Sequence, residues 1–194
     1  MGARRPGPEA APRLVAPAAG YRASFLEALG EYHAEGRHLD LPAGRLADPA
    51  ELAHYVTALA AGVERPGEAD SYLAALEQRP APTPWPDGYV PQTVLWWVAG
   101  DGYLGRLSIR HRLTAHLLHE GGNIGFEVRP SARGRGHATA MLAAALPLAA
   151  ALGVDPARLD CDADNVASRR VIEKNGGVLD EERDDLLFFW VPTA

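Results

Sequence analysis

The chain is expected to fold as an α+β (mixed α/β) domain, with a mostly antiparallel central sheet flanked by helices. Three observations predict this. Two strands meet at a glycine turn, apolar stripes at helical spacing precede them, and a strand–glycine loop–helix unit follows. Gln92 to Val98 and Tyr103 to Arg112 are the two strands, joined through Ala99-Gly-Asp-Gly102, a strong hairpin signal. In the second of them, Tyr103, Leu107 and Ile109 are expected on one face and Arg106, Ser108, Arg110 and Arg112 on the other.

The remaining elements follow in order. Residues 1–12 are rich in Pro, Gly and Ala without an apolar signal core and read as a flexible tail. A single domain is expected over 13–194, its part 13–91 (first strand, helices and proline-rich linker) shaping the acceptor side of a site and its part 92–194 forming the ligand-binding core. Arg13 to Ala16 is a short first strand. Tyr21, Phe25, Leu29 and Tyr32 recur at helical spacing, which predicts a helix over 20–34. Asp48-Pro49-Ala-Glu51 carries a cap, a first-turn proline and an acidic third residue, so a second helix starts there, with Leu52, Tyr55, Val56 and Leu59 as its apolar stripe. A third short helix is predicted at about 68–78. Pro80, Pro82, Pro84, Pro86 and Pro91 then make an extended linker. Leu113 to Gly121 connects the hairpin to a strand at 123–129, a long helix follows from about 139 with a kink at Pro147, and strands near 158–162, 177–183 and 186–192 close the fold around a helix from Asn165 to Asn175.

The unit at 123–139 carries chemistry. Ile124, Phe126 and Val128 alternate with Asn123, Gly125 and Glu127, as in a half-buried strand. Arg133-Gly-Arg-Gly136-His-Ala138 then leads into an alanine-rich helix, so free backbone N–H groups meet the positive end of a helix dipole. Such a point binds an anion with several oxygens, pyrophosphate above all. A P-loop is excluded because His137 and Ala138 stand where Lys and Ser/Thr are needed, and a dinucleotide fingerprint because Thr139 replaces its last glycine.

With the stretches Asp160-Cys-Asp-Ala-Asp-Asn165-Val-Ala-Ser168 and Glu173-Lys174-Asn-Gly176-Gly177 added, the chain over roughly 92–192 resembles the GCN5-related N-acetyltransferase (GNAT) superfamily, closest to uncharacterised bacterial predicted acetyltransferases. The resemblance implies an acyl-CoA N-acyltransferase fold and acetyl-CoA (coenzyme A) as co-substrate, with no metal. Arg133, Gly136 and Ala138 match the family's pyrophosphate loop. Around them Gly134, Arg135, His137 and Thr139 are expected to line the same site. Asn165, with Ser168 behind it, matches the asparagine that borders the pantetheine arm. The backbone at Phe126 and Val128 is implied to polarise the thioester carbonyl, next to a strand pair splayed by Gly125 and Pro130. One departure stands out: where the family often carries an acid tyrosine, seven residues after the asparagine, this chain has Ile172.

Glu127 and His111 are the candidate bases. Glu127 faces away from Phe126 and Val128, toward the acceptor, and could take a proton from its ammonium, directly or through water; its other reading is a carboxylate paired with the arginines of the neighbouring strand. His111 shares the expected face of Tyr103 and Ile109, where a hydrogen-bonded core histidine fits as well. Asn165 also reads as a simple N-cap. Glu27, Glu31 and Glu35 repeat every four residues, either as a lure for a cationic amine or as a solvated helix face. Trp85, Trp96 and Trp97 read as pocket lining or as core.

Composition bounds the rest. A formal net charge of −6 argues against a nucleic-acid partner and makes the arginines at 129, 133 and 135 a local basic spot. One cysteine, Cys161, forbids an intrachain disulfide and reads as packed rather than nucleophilic. The apolar run 139–154 is too short for a membrane span. A cytoplasmic enzyme acting on an amine-bearing acceptor, compatible with a homodimer, is expected, with an acetyl-CoA-binding sensor of weak or no activity as the alternative.

Overall fold

Hydrophobic alternation in the strands and buried residues on the helices build two sheets and two cores. The computed structural model describes residues 10–60 and 90–194. The helix expected at 68–78, the proline linker up to Pro86 and Trp85 lie outside them. Strand β1 (Arg13–Val15) leads through a 3-10 turn into α1 (Arg22–Ala34), then α2 (Ala43–Leu46) and α3 (Pro49–Ala60). The antiparallel hairpin β2 (Gln92–Ala99) and β3 (Gly102–Arg110) follows, then α4 (Ala115–His119), β4 (Ile124–Val128), α5 (His137–Ala151), β5 (Ala157–Asp162), α6 (Val166–Lys174), β6 (Val178–Arg183) and β7 (Leu186–Val191). The first four strands form one antiparallel sheet in the order β1-β2-β3-β4, and the last three another in the order β5-β7-β6. The observed architecture is a mixed α/β fold with antiparallel sheets flanked by helices.

Local signals act as expected. Asp48 Oδ1 accepts from Ala50 N at 2.7 Å and Glu51 N at 3.2 Å, which caps α3. The stripe Leu52, Tyr55, Val56 and Leu59 is buried. α5 runs through Pro147 without ending. The connection 113–121 contains α4, capped by Thr114 Oγ1 accepting from Leu117 N at 3.2 Å.

One face of the first sheet packs on α1 and α3, where Phe25 stacks on Trp96 with ring centroids 5.0 Å apart and Tyr103 meets Phe25 edge-on. The other face packs on α5, with Trp97, Leu107, Ile109, Met141 and Leu142 buried among Ile172 and Phe189. Tyr103 therefore lies on the face opposite Leu107 and Ile109, which corrects the strict alternation expected of this strand. The register explains it. Tyr103 pairs with Val98 and Gly105 with Trp97, so Leu104 is an extra residue that inverts the facing.

Hydrogen bonds join the two sheets at Asn123 and Arg158. Asn123 N donates to Arg158 O at 2.6 Å, and Asn123 Oδ1 accepts from Arg158 N at 2.9 Å. Gly122 (φ +53°) makes the approach possible, because a Cβ there would stand 2.3 Å from Arg158 O. Beyond this junction no ladder joins β4 to β5. The carbonyl of Val128 instead accepts from Arg133 Nε at 3.1 Å. A wedge opens between the strands.

Candidate active site

The wedge continues into a cleft of about 640 Å³. Its first wall is the N-terminus of α5 with the loop before it. Gly136, the N-cap, takes φ +82° and offers no side chain to cap the helix. The first-turn N–H groups of His137, Ala138 and Thr139 have no acceptor within the helix, and these residues line the cleft beside Gly134. α6 forms the second wall. Asn165 Oδ1 accepts from Ser168 N at 3.0 Å, so the asparagine is an N-cap, and it lines the cleft together with Ser168. Asn175 Nδ2 donates to Val171 O at 2.8 Å and Thr139 O at 3.3 Å, tying α6 to the first turn of α5.

β4 supplies the edge between the walls. Arg129 N donates to Leu104 O at 2.9 Å and Asn123 O accepts from Arg110 N at 2.7 Å, so the odd-numbered residues pair with β3. Alternation turns the backbone groups of Phe126 and Val128 toward the wedge. Their side chains join the α5 core, and Glu127 points to the α1 face.

Glu127 is held by the loop after α1. His38 Nε2 lies 2.8 Å and Arg37 Nη2 3.0 Å from Glu127 Oε2. Arg37 also lies over the Tyr32 ring at 5.4 Å, and Arg106 stands opposite Glu127 in register. Burial pushes the Glu127 carboxyl up. The His38 hydrogen bond and the Arg106 and Arg37 charges more than offset that, leaving it below the ordinary value. Glu127 is ionised at neutral pH and, among the described residues, is the sole carboxylate lining the cleft.

The structure brings together Phe126, Glu127, Val128, Arg133, Gly134, Gly136, His137, Ala138, Thr139, Asn165 and Ser168 of the predicted set, and leaves two out. His111 follows the far end of β3, five residues beyond the position opposite Glu127, about 17 Å along a strand. Its Nε2 lies 2.9 Å from Thr93 Oγ1, and burial lowers its pKa. Arg135 is exposed and outside the lining. Arg133 lines the cleft, yet its guanidinium forms two 2.8 Å contacts with Glu35.

That ion pair corrects the reading of the glutamate stripe. Glu31 accepts from Arg129, Ser131 N at 3.0 Å and Ser131 Oγ at 2.8 Å. The Arg129 hydrogen bonds, helped by those from Ser131, hold its carboxyl down at about 2 against the opposing effect of burial. Glu31 and Glu35 thus clamp α1 onto residues 129–133, and the basic spot is largely neutralised within the molecule. Trp96 and Trp97 are core residues, and Trp97 Nε1 donates to His137 Nδ1 at 3.3 Å. Cys161 is buried, and burial with its aspartate neighbours raises its pKa to about 11. Ile172 is fully buried, with Gly177 packed against it. The α6 residues that face the cleft are Ala167, Ser168, Arg170, Val171 and Lys174. Arg170, Val171 and Lys174 stand three, four and seven residues after Ala167, a helical spacing that the sequence shows. Arg37 gave no sequence signal, being 90 residues from Glu127.

The family model of the acetyltransferase (GNAT) domain matches residues 33–178, and the chain belongs to that family. No curated protein sequence matches the chain. Solved structures share the fold. A ribosomal L7/L12 alpha-N-protein acetyltransferase in complex with coenzyme A is 17% identical, with 93% of each chain covered and a TM-score of 0.56. An N-acetyltransferase from Staphylococcus aureus Mu50 is 15% identical over 95% of this chain and 100% of its own, TM-score 0.55. The microcin C7 self-immunity acetyltransferase, in complex with acetyl-CoA and AMP, is 12% identical over 96% and 93%, TM-score 0.54. Among the described residues there is no helix long and apolar enough to cross a membrane, and no cluster of three or more His, Cys, Asp or Glu that could hold a metal ion.

Proposed function

We propose that this chain is an acetyl-CoA-dependent N-acetyltransferase that acylates a primary amine by direct attack. The observation that carries this is one cleft with three chemically different sides: an uncapped helix N-terminus, the unpaired edge of β4, and a buried carboxylate on the opposite face. The first side fits coenzyme A. The N–H groups at Gly134, Gly136 and the first turn of α5 suit its pyrophosphate, and Arg170 and Lys174 on α6 add positive charge. When bound, the cofactor supplies an acetyl group as an activated thioester.

The chain's residues supply the rest. Backbone N–H groups at Phe126 and Val128 polarise the reacting carbonyl. Glu127 accepts a hydrogen bond from the incoming ammonium and orients it. A depressed carboxyl is a poor final sink for that proton: the transfer from an ordinary lysine-like ammonium spans about six pKa units or more. The amine therefore loses its proton in a pre-equilibrium with hydroxide or buffer base in the solvent, and Glu127 orients it without keeping the proton. Ser168 is the α6 hydroxyl facing the cleft, and we assign it as the donor to the departing sulfur. That demand is small, because a thiol pKa is about 8.5. Ile172 takes no part.

The burial of Ile172 also favours a second reading, a sensor that binds acetyl-CoA without turning it over. Thiol release from acetyl-CoA across an amine panel decides between them. The transferase reading expects amine-dependent release. Tight coenzyme A binding with no release from any amine leaves the sensor.

A further inference from the structure

We infer that Tyr32 completes the acceptor site: its phenolic oxygen accepts one N–H of the attacking primary amine while Glu127 accepts the other, once the Arg37 side chain has lifted off the Tyr32 ring. This rests on the transferase reading above. The Tyr32 hydroxyl itself leads here. Tyr32 is 3% exposed, and its Oη is buried without a hydrogen-bond partner among the described residues. The hydroxyl is that side chain's only polar group, and an unpaired hydroxyl in a core is costly. Packing does not ask for it. Phe25, nearer the start of α1 and also buried, fills the same core with a ring alone.

The phenol lies behind the acceptor side of the cleft, which Arg37 and Glu127 line. The Arg37 guanidinium stands 5.4 Å from the Tyr32 ring centre, and the His38 ring meets Tyr32 edge-on at 5.0 Å. Burial first, and the Glu127 charge second, push the phenol's pKa up, so it is a neutral hydroxyl that can accept as well as donate. The backbone around it is pinned. Arg37 N donates to Tyr32 O at 2.9 Å, and His33 Nε2 lies 2.8 Å from the carbonyl oxygen of His38, which takes φ +53°. The Arg37 side chain is the part that can move. It is 46% exposed and spans the Tyr32 ring and Glu127 Oε2. A guanidinium this exposed loses little on turning to solvent. His38 stays on Glu127 Oε2 and keeps the carboxylate in place.

The chemistry of the attack calls for two acceptors. A neutral primary amine has two N–H bonds and one lone pair. One acceptor leaves the nitrogen free to turn about the bonded N–H. Two acceptors fix both N–H bonds, and the lone pair that attacks the thioester then has a single direction. Glu127 on β4 and Tyr32 on α1 supply the two from different elements. A secondary amine, with one N–H, can use only one of them, so the site selects primary amines.

The test uses alanine amide, butylamine and Nα-acetyl-lysine amide, each beside the derivative with one methyl on the reactive nitrogen. In Tyr32→Phe, kcat/KM for the primary amines should fall about three- to tenfold, the range of one hydrogen bond. The preference for primary over methylated amine should narrow by the same factor. Coenzyme A affinity should be unchanged, and the denaturant midpoint equal or higher, because the substitution removes an unpaired buried hydroxyl. Arg37→Ala uncovers the phenol and should lower the KM of the primary amines by about two- to fivefold, the worth of a partly exposed ion pair. A destabilised Tyr32→Phe means that the hydroxyl serves the fold, and an unchanged kcat/KM means that it does not touch the amine; either overturns the inference. A raised KM in Arg37→Ala overturns it too. Without turnover in any protein, calorimetry of the same amines on the coenzyme A complex decides. Primary-amine binding that weakens in Tyr32→Phe upholds the acceptor site and overturns the transferase reading instead, and equal or absent binding in both proteins overturns the inference.

Discussion

The two sides of the cleft are built in different ways. The α5–α6 side comes from one continuous stretch, Arg133 to Lys174, and presents mostly backbone donors set by local conformation. The α1 side is assembled from side chains far apart in sequence, with Arg37 and His38 reaching Glu127 across 90 and 89 residues. Backbone donors at a helix start need only the right turn, so that side tolerates side-chain change. Each member of the distant constellation is held by another, so that side is sensitive to single substitutions of charge.

The largest expected effect is on the α1 side. Glu127→Gln keeps the shape and loses the charge that orients the ammonium, so kcat/KM should fall about ten- to a hundredfold, the range of one hydrogen bond between charged groups. Coenzyme A affinity should stay within error by calorimetry. The pH–rate profile checks the sign. Because the Glu127 carboxyl is lowered, it stays ionised throughout pH 5–9, and the wild-type rate should rise with pH through the amine's own ionisation alone. An additional limb that disappears in Glu127→Gln would make Glu127 the proton sink.

On the backbone side, Gly136→Val should weaken coenzyme A binding by about tenfold or more. Its φ of +82° costs a side chain roughly 1–2 kcal/mol, and a branched one crowds the donors as well. Arg135→Gln should change affinity less than threefold or so, the value of a solvated charge, since Arg135 lies outside the lining.

A fourth variant separates core from cleft. Ile172→Tyr is expected to destabilise the fold by about 1–3 kcal/mol, because Ile172 is fully buried with Gly177 against it. Denaturant melts measure this. A stable variant with faster turnover would place position 172 at the sulfur.

The smallest effect concerns the clamp. Glu31 has its carboxyl lowered from 4.5 to about 2, so its contribution to stability is complete above 4.5 and is lost as pH falls toward 2. Acid unfolding of the wild type should show this loss over that window, and Glu31→Gln should flatten it. An identical acid profile in both proteins would mean that the clamp contributes nothing.

This contrast also marks what could be read from the chain alone. The α5–α6 side was legible because its signals are local: a strand, two glycines and a helix start in sequence order, and a capping asparagine with Ser168 three residues on. The hairpin, the α3 cap and the apolar stripes were legible for the same reason. The facing of Tyr103 was not, since a single extra residue at Leu104 inverts one end of an otherwise regular alternation. The glutamate stripe looked like an exposed helix face, because the arginines and serine that cover it come about a hundred residues later. Arg37 and His38 follow a helix with no periodicity or motif, and their partner lies in another strand. Ile172 was legible as a departure from a pattern, but its direction depends on the face of α6 that packs against β7 and Gly177.

The central claim is that backbone donors at the start of α5 hold coenzyme A and that Glu127 serves the acceptor alone. Calorimetric titration of coenzyme A into the wild type, Gly136→Val and Glu127→Gln tests it most directly. The account predicts binding to the wild type, equal binding to Glu127→Gln, and a loss of about tenfold or more in Gly136→Val. No binding to the folded wild type, or equal affinity in Gly136→Val, would contradict it.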